Sequence, residues 1–402
     1  VTLASASLLG ASAAPVKTYE VKSPDGRLAL VLTAGERLSF TVARDGETLV
    51  APSEMALTLS TGEVLGESPR VRSARRRAVT ETIDAPLYRQ SRFDAAYNEL
   101  DLRLRGDYGI LARAYDDGVC YRFYTERDGE LTIVDETAQL NFEGDPSAYI
   151  PYSKTEIPMR TSFENTYEYA PLSKFRTQTV AFMPVLVDLG ERGYVLYTES
   201  DVEAYPGVYL TYDKEAKGFA ARFAECPTET SLTKRFQDVV ERSADYIARV
   251  DGRRSYPWRI VAYAATATEL PVNDMVWQTA EASRVADASW VRDGKIAWDW
   301  WNNWGVYGVD FKSGINTEPY KYFIDFAAAN GIEYVALDEG WGVRDGDVMH
   351  VVPEIDLPEI VSYAREKKVG IILWVVAKVL DDKLEEACRY YSELGVDRKS
   401  VV

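Results

Sequence analysis

The strongest constraint on how this chain can fold lies in its last third. There, β-rich stretches starting at Lys295, Ile332 and Gly370 recur about every 37 residues, each followed by an amphipathic helical stretch. That spacing is the signature of parallel strands joined by right-handed helical crossovers. The expected strands are 295–301, 332–337 and 370–376, followed by helices over 318–330, 357–368 and 382–394. Thr317 and Asp356 stand as N-caps, and Gly331 and Gly395 close two of the helices. Pro358 in the first turn and Glu359 three residues after Asp356 complete a capping box of the Asp type. Three units fit either an open doubly wound sheet or a (β/α)8 barrel. No G-x-G-x-x-G follows any strand, so a dinucleotide fold has little support.

The chain before it has a different character. From Thr18 to about Val250, short β-rich runs such as Leu28–Leu32, Leu38–Val42, Leu100–Leu104 and Val119–Tyr124 alternate with turn sequences such as Ser23-Pro24-Asp25-Gly26 and Arg44-Asp45-Gly46. A large antiparallel β-sandwich is the natural class. A helix over 272–282 is expected to lead into the parallel part. Two domains also suit a length of 402 residues.

In parallel α/β architectures, function gathers at the carboxyl ends of the strands. The first strand runs into Trp298-Asp299-Trp300-Trp301-Asn302-Asn303-Trp304, the second into Asp338-Glu339-Gly340-Trp341, and the third ends at Trp374 with Lys378 beyond it. Aromatic faces cover the C–H side of a pyranose, and carboxylates and carboxamides bond its hydroxyls, so a carbohydrate cleft is expected. Trp298, Asp299, Trp301, Asn302, Asp338, Glu339 and Trp341 are the expected sugar-binding residues. A tryptophan-rich core strand is the alternative for the first cluster, and a surface lysine the alternative for Lys378. Asp338 and Glu339 are neighbours that would point to opposite faces of a strand, so they are not read as a catalytic pair.

Charge and composition narrow the chemistry. A net charge of −17 argues against nucleic acid or an anionic membrane as partner. With His350 as its one histidine, the chain has little scope for a Ser-His-Asp triad or a multi-histidine zinc site, which leaves carboxylates for acid–base work. Cys120, Cys226 and Cys388 lack metal or disulfide spacing and read as small core residues. Residues 1–13 read as the remnant of a signal peptide, because Ala11-Ser12-Ala13 has the form of a cleavage site. Export to a periplasm or beyond follows, with no stretch long enough to span a membrane and a monomer or weak homo-oligomer as the expected state.

Several short stretches, in this order and spacing, resemble glycoside hydrolase family 97. They are Asn98-Glu99-Leu100, Arg113-Ala114-Tyr115-Asp116-Asp117-Gly118, Tyr197-Thr198-Glu199-Ser200-Asp201, Arg254-Ser255-Tyr256-Pro257-Trp258-Arg259 and, most specific, Ser289-Trp290-Val291 followed by Gly294–Asn302. The resemblance covers nearly the whole chain. It implies an N-terminal β-supersandwich (residues 14–270) and a (β/α)8 barrel of which this chain holds the first three βα units (271–396). It also implies an exported, calcium-dependent exo-acting α-glucosidase or α-galactosidase that works on oligosaccharides through paired carboxylates. Glu199 matches the family's sandwich-domain glutamate that ligates calcium. The catalytic carboxylates and the remaining calcium ligands are expected beyond Val402, before which the chain departs from the family pattern. Asp397-Arg398-Lys399-Ser400-Val401-Val402 resembles a translated sequencing adapter, so 397–402 are expected to be a non-native tail, the chain to stop before a fourth strand, and the fragment to be inactive. A non-catalytic carbohydrate-binding protein is the competing expectation.

Overall fold

The computed structural model describes residues 16–154, 159 and 162–401, the side chains of 398–401 excepted. The signal-peptide remnant lies outside them. The chain divides into two compact units, Val1–Cys226 with Ala244–Ser283, and Pro227–Ser243 with Arg284–Val402. The division differs from the expected one at residue 270: a hairpin from the β-rich region belongs with the second unit, and residues 271–283 stay with the first.

The first unit is an antiparallel β-sandwich whose strands alternate as half-buried strands must. Leu28–Ala34 buries every second residue and pairs with Leu38–Arg44, which does the same. Its organising element is Gly118–Asn141, a strand of 24 residues. The sequence shows only its start, at Val119–Tyr124. Its first half pairs with Tyr108–Tyr115 and Trp258–Ala264, its middle with Ala248–Ser255, and its last half with Glu47–Leu59 and Gly218–Arg222. One strand therefore contributes to both layers. Gly118 begins it where a side chain has no room, since a Cβ would lie 2.8 Å from the Val261 carbonyl oxygen.

Between the layers, the Arg259 guanidinium is almost fully buried and forms two bonds of 2.8 Å to the equally buried Glu136 carboxylate. It also bonds Glu199. The expected helix over 272–282 is reduced to a 3-10 segment, Ala267–Val272, and one short helix, Met275–Thr279. Pro271 lies inside the first, and Asn273 between them is extended.

The second unit holds a parallel sheet in the order Ile296–Trp298, Tyr334–Leu337, Gly370–Val375, Arg398–Val401. The fourth strand corrects the expectation that the chain stops short of one. Its ladder uses backbone groups, which an unpatterned sequence supplies as well as an apolar one. Helices Thr317–Asn330, Leu357–Lys367 and Leu384–Leu394 cover one face, where Val335, Leu337, Ile371 and Leu373 form a core with Ile324, Ile360 and Tyr391. Asp356 caps its helix by accepting from the Glu359 N–H at 2.9 Å, and Gly331 and Gly395 end theirs in the left-handed conformation. Thr317 is the first helical residue rather than the cap; its hydroxyl accepts from the Asp356 N–H at 2.8 Å. Of the cysteines, Cys120 is buried as expected, Cys226 is half-buried and Cys388 is exposed.

Replacing Arg259 by Leu leaves the Glu136 and Glu199 carboxylates without their cation, and removing one partner of a buried pair costs about 3–5 kcal/mol. Guanidinium unfolding of the sandwich unit is expected to show a loss of that order, and Arg259→Lys is expected to recover only part of it, because a lysine cannot make the two-pronged contact.

Candidate functional site

The first parallel strand stops at Trp298, three residues earlier than the sequence suggests. The chain then turns through a 3-10 segment, Asp299–Asn302, and two successive left-handed residues, Asn303 and Trp304. The reversal keeps Asp299 at the strand end, almost fully buried, and carries Trp300, Trp301 and Asn302 outwards. Trp298, Trp300 and Trp301 gather there, with ring centres 5.2 and 6.3 Å from Trp298 and planes within 28° and 22° of it. Trp301 is 77% exposed, and Trp298 and Trp300 are about half so.

Beneath the indoles lies a polar network. The Tyr320 hydroxyl, from the first covering helix, donates to Asp299 Oδ2 at 2.7 Å, and the Asp338 N–H donates to Asp299 Oδ1 at 3.0 Å. Asp338, also buried, accepts from the Trp298 indole N–H at 2.7 Å and from the Glu339 N–H at 2.7 Å. One carboxylate thus joins the ends of the first two strands, and the next fixes the plane of Trp298. Burial pushes the Asp299 carboxyl up to about 6, against the pull of the Tyr320 and Asp338 donors.

The other expected residues fall into different roles. Glu339 points away from Asp338 and faces two guanidinium groups, Arg344 at 3.4 Å and Arg235 at 4.0 Å. Trp341 is buried rather than an open stacking platform. Its N–H donates to the Trp374 carbonyl at 2.7 Å, and its ring meets Tyr391 edge-on. Lys378 bonds Asp382 one helical turn on. Sequence reasoning missed Tyr320, whose place in the amphipathic pattern of its helix reads as core, and the hairpin that brings in Arg235.

That hairpin, Pro227–Leu232 with Asp238–Ser243, is solvent-exposed along its strands and closes through a tight loop. The Phe236 N–H bonds the Thr233 carbonyl and the Thr233 N–H bonds Gln237, each at 2.9 Å. Phe236 occupies the left-handed position (φ 60°), where such loops favour glycine; the conformation costs an L residue roughly 1–2 kcal/mol. Its ring packs on Gly346, where a Cβ would come within 2.9 Å of it. With Trp341, Val343, Trp374, Val376 and Val379, Phe236 walls a cavity of about 110 Å3, rimmed by Glu339, Arg235 and Arg344.

In the first unit, Glu199 Oε1 accepts from the Val208 N–H at 3.0 Å while Oε2 bonds Arg259. Burial pushes its carboxyl up, against the pull of Arg259. A calcium ion takes six to eight oxygens. Among the described residues no three His, Cys, Asp or Glu side chains cluster to hold a metal, so the residues present supply one carboxylate and not a complete site.

A model of the glycosyl-hydrolase 97 N-terminal domain matches residues 21–281, and one of glycoside hydrolase 97 matches residues 300–401. The chain belongs to glycoside hydrolase family 97. It is 41% identical over 389 residues to a retaining alpha-galactosidase of Bacteroides thetaiotaomicron, covering 94% of this chain and 59% of that protein. Identity is 30% over 372 residues to a probable retaining alpha-galactosidase of Streptomyces bingchenggensis, covering 89% of this chain and 52% of the relative. The chain thus spans little more than half the length of these relatives. In fold it is similar to a family 97 enzyme from Pseudoalteromonas sp. strain K8 in complex with acarbose, with a TM-score of 0.78 at 18% identity over 95% of this chain and 58% of that one. A beta-arabinopyranosidase gives a TM-score of 0.75 at 21% identity, over 95% of this chain and 62% of that one.

The Asp299 carboxyl is expected to titrate near pH 6 when followed by carbon-13 NMR. Tyr320→Phe removes a donor to the ionised form and is expected to move the midpoint higher. Because the folded value lies above the ordinary 3.8, the stability this group contributes is fully present below pH 3.8 and is lost as pH rises through about 6. A midpoint near 4 in the folded protein contradicts this assignment.

Proposed function

We propose that the chain is the sugar-recognising part of an exported, calcium-dependent family 97 glycosidase that releases terminal α-galactose with retention of configuration. The observation that carries the reading is the indole cluster Trp298–Trp301, held open over the Asp299–Asp338 network at the carboxyl ends of parallel strands. Trp298 has given its N–H to Asp338 and stacks with Trp300 and Trp301, so the capacity left to the cluster is the exposed ring of Trp301, whose flat face suits the C–H side of a pyranose. Galactose is preferred over glucose because both curated relatives described above are named as retaining alpha-galactosidases. The fold supports completion of the parallel sheet into a (β/α)8 barrel in the whole enzyme.

Within this proposal Asp299 and Asp338 bind and orient rather than act as acid and base. Asp299 has both oxygens engaged and Asp338 holds the indole, and a retaining pair must face each other across the scissile bond about 5–5.5 Å apart. The 402 residues alone are therefore expected to bind galactosides without turning over p-nitrophenyl α-galactoside. Glu199 acts as one calcium ligand, its orientation held by Arg259 and the Val208 N–H. Export rests on the small apolar stretch around Ala11-Ser12-Ala13, which lies outside the described residues.

Calorimetry with methyl α-D-galactopyranoside and methyl α-D-glucopyranoside tests the reading. The galactoside is expected to bind more tightly, and Trp298→Ala and Trp301→Ala to weaken it about tenfold each, the equivalent of about 1.4 kcal/mol. Equal affinity for the two sugars, or insensitivity to both substitutions, contradicts it. For calcium, Glu199→Gln leaves the Arg259–Glu136 pair intact and is expected to abolish the rise in thermal midpoint on adding calcium to the whole enzyme; an unchanged response removes Glu199 from the ligand set.

A further inference from the structure

The cavity beside the indole cluster differs in chemistry from a sugar pocket. Its walls are mostly apolar, made by Phe236, Trp341, Val343, Trp374, Val376 and Val379. Arg235, Gln237, Glu339, Arg344 and Asp347 also line it, and the Trp341 indole N–H is already bonded to the Trp374 carbonyl. A pyranose seated among the apolar side chains would bury more hydroxyls than those polar groups can serve, whereas a flat apolar ring would not. The volume, about 110 Å3, suits a single flat apolar ring; an apolar cavity of comparable size in another protein takes up benzene.

The cavity also adjoins the sugar-binding strand ends. Glu339 and Gly340, which line it, directly follow Asp338, the acceptor for the Trp298 indole. Trp298 pairs with Ala336 and Ala336 with Ile372, so Trp374, two residues beyond Ile372, lies on the same face of the sheet as Trp298. One wall is supplied by a residue held at the expense of local backbone strain. Phe236 keeps a left-handed conformation at the tip of an otherwise exposed hairpin, and its ring is seated on Gly346. Strain of this kind persists where the surroundings fix it and gathers at ligand sites.

From these observations we infer that the cavity is an aglycone site: the substrate is an aryl α-glycoside, with its sugar on the indole cluster and its aromatic ring between Phe236 and Trp374. The polar rim of Arg235, Glu339 and Arg344 suits a phenolic or nitro substituent at the mouth. This inference rests on the proposed sugar site and goes beyond it by naming the leaving group.

The test compares p-nitrophenyl α-D-galactopyranoside with methyl α-D-galactopyranoside by calorimetry on the full 402-residue chain. The aryl glycoside is expected to bind at least tenfold more tightly. Phe236→Ala is expected to erase that advantage while changing methyl glycoside affinity less than twofold, and Phe236→Tyr to keep it. Methyl glycoside binding thereby reports that each variant is folded. Equal affinity of the two glycosides, or an aryl preference that survives Phe236→Ala, overturns the aglycone site alone. If neither glycoside binds, the sugar site falls and the aglycone site with it.

Discussion

The buried Asp299 carboxylate is the tie on which the strand ends of the second unit depend. Between the first two strands the register runs from Ile296–Tyr334 to Trp298–Ala336, and beyond it the backbone of the first strand turns away. Asp299 replaces the missing rungs by accepting from the Asp338 N–H and the Tyr320 hydroxyl. A charged group in this place costs desolvation, which shows as its raised pKa. In return the strand ends, the first covering helix and the Trp298 plane are fixed to one another before any ligand arrives. Preorganisation of this kind is what a weak, shallow sugar contact needs, because each ring immobilised beforehand is one that binding does not have to order.

The sandwich solves a comparable problem with a different pair. Arg259 bridges Glu136 and Glu199 from opposite sides, so the glutamate matched to the family's calcium ligand sits in a charged cluster and not on a free loop. That pairing sets its orientation and leaves each oxygen with a second lone pair. The triad therefore belongs both to the packing of the sandwich and to the chemistry proposed for Glu199.

How much of this was legible in the sequence depends on whether the signal was local. The parallel strands, their helices, the Asp356 cap and the closing glycines are written in periodicity and in single-residue chemistry, and they stand within a few residues of the reading. Trp298, Asp299 and Asp338 do meet, because strand ends in parallel register bring them together. What was hidden came from pairings distant in sequence. Of the strand from Gly118 to Asn141 only the start, Val119–Tyr124, is legible, because its burial switches as its partners change. The Pro227–Ser243 hairpin looks like another sandwich meander, yet its tip is engaged with residues a hundred positions later. Trp341 has the composition of a stacking platform, and only the position of the Trp374 carbonyl shows that it is a wall.

The long strand has a further consequence for how the protein is made. Its partners span from Glu47–Leu59, upstream, to Trp258–Ala264, downstream. During synthesis its edge can pair early with the upstream strands, but its other edge stays open until more than a hundred further residues have left the ribosome. Non-local pairing of this kind is slow, and an open strand edge invites wrong partners. The vulnerable period in the life of this protein therefore falls before Ala264 emerges, well ahead of the parallel strands and the indole cluster.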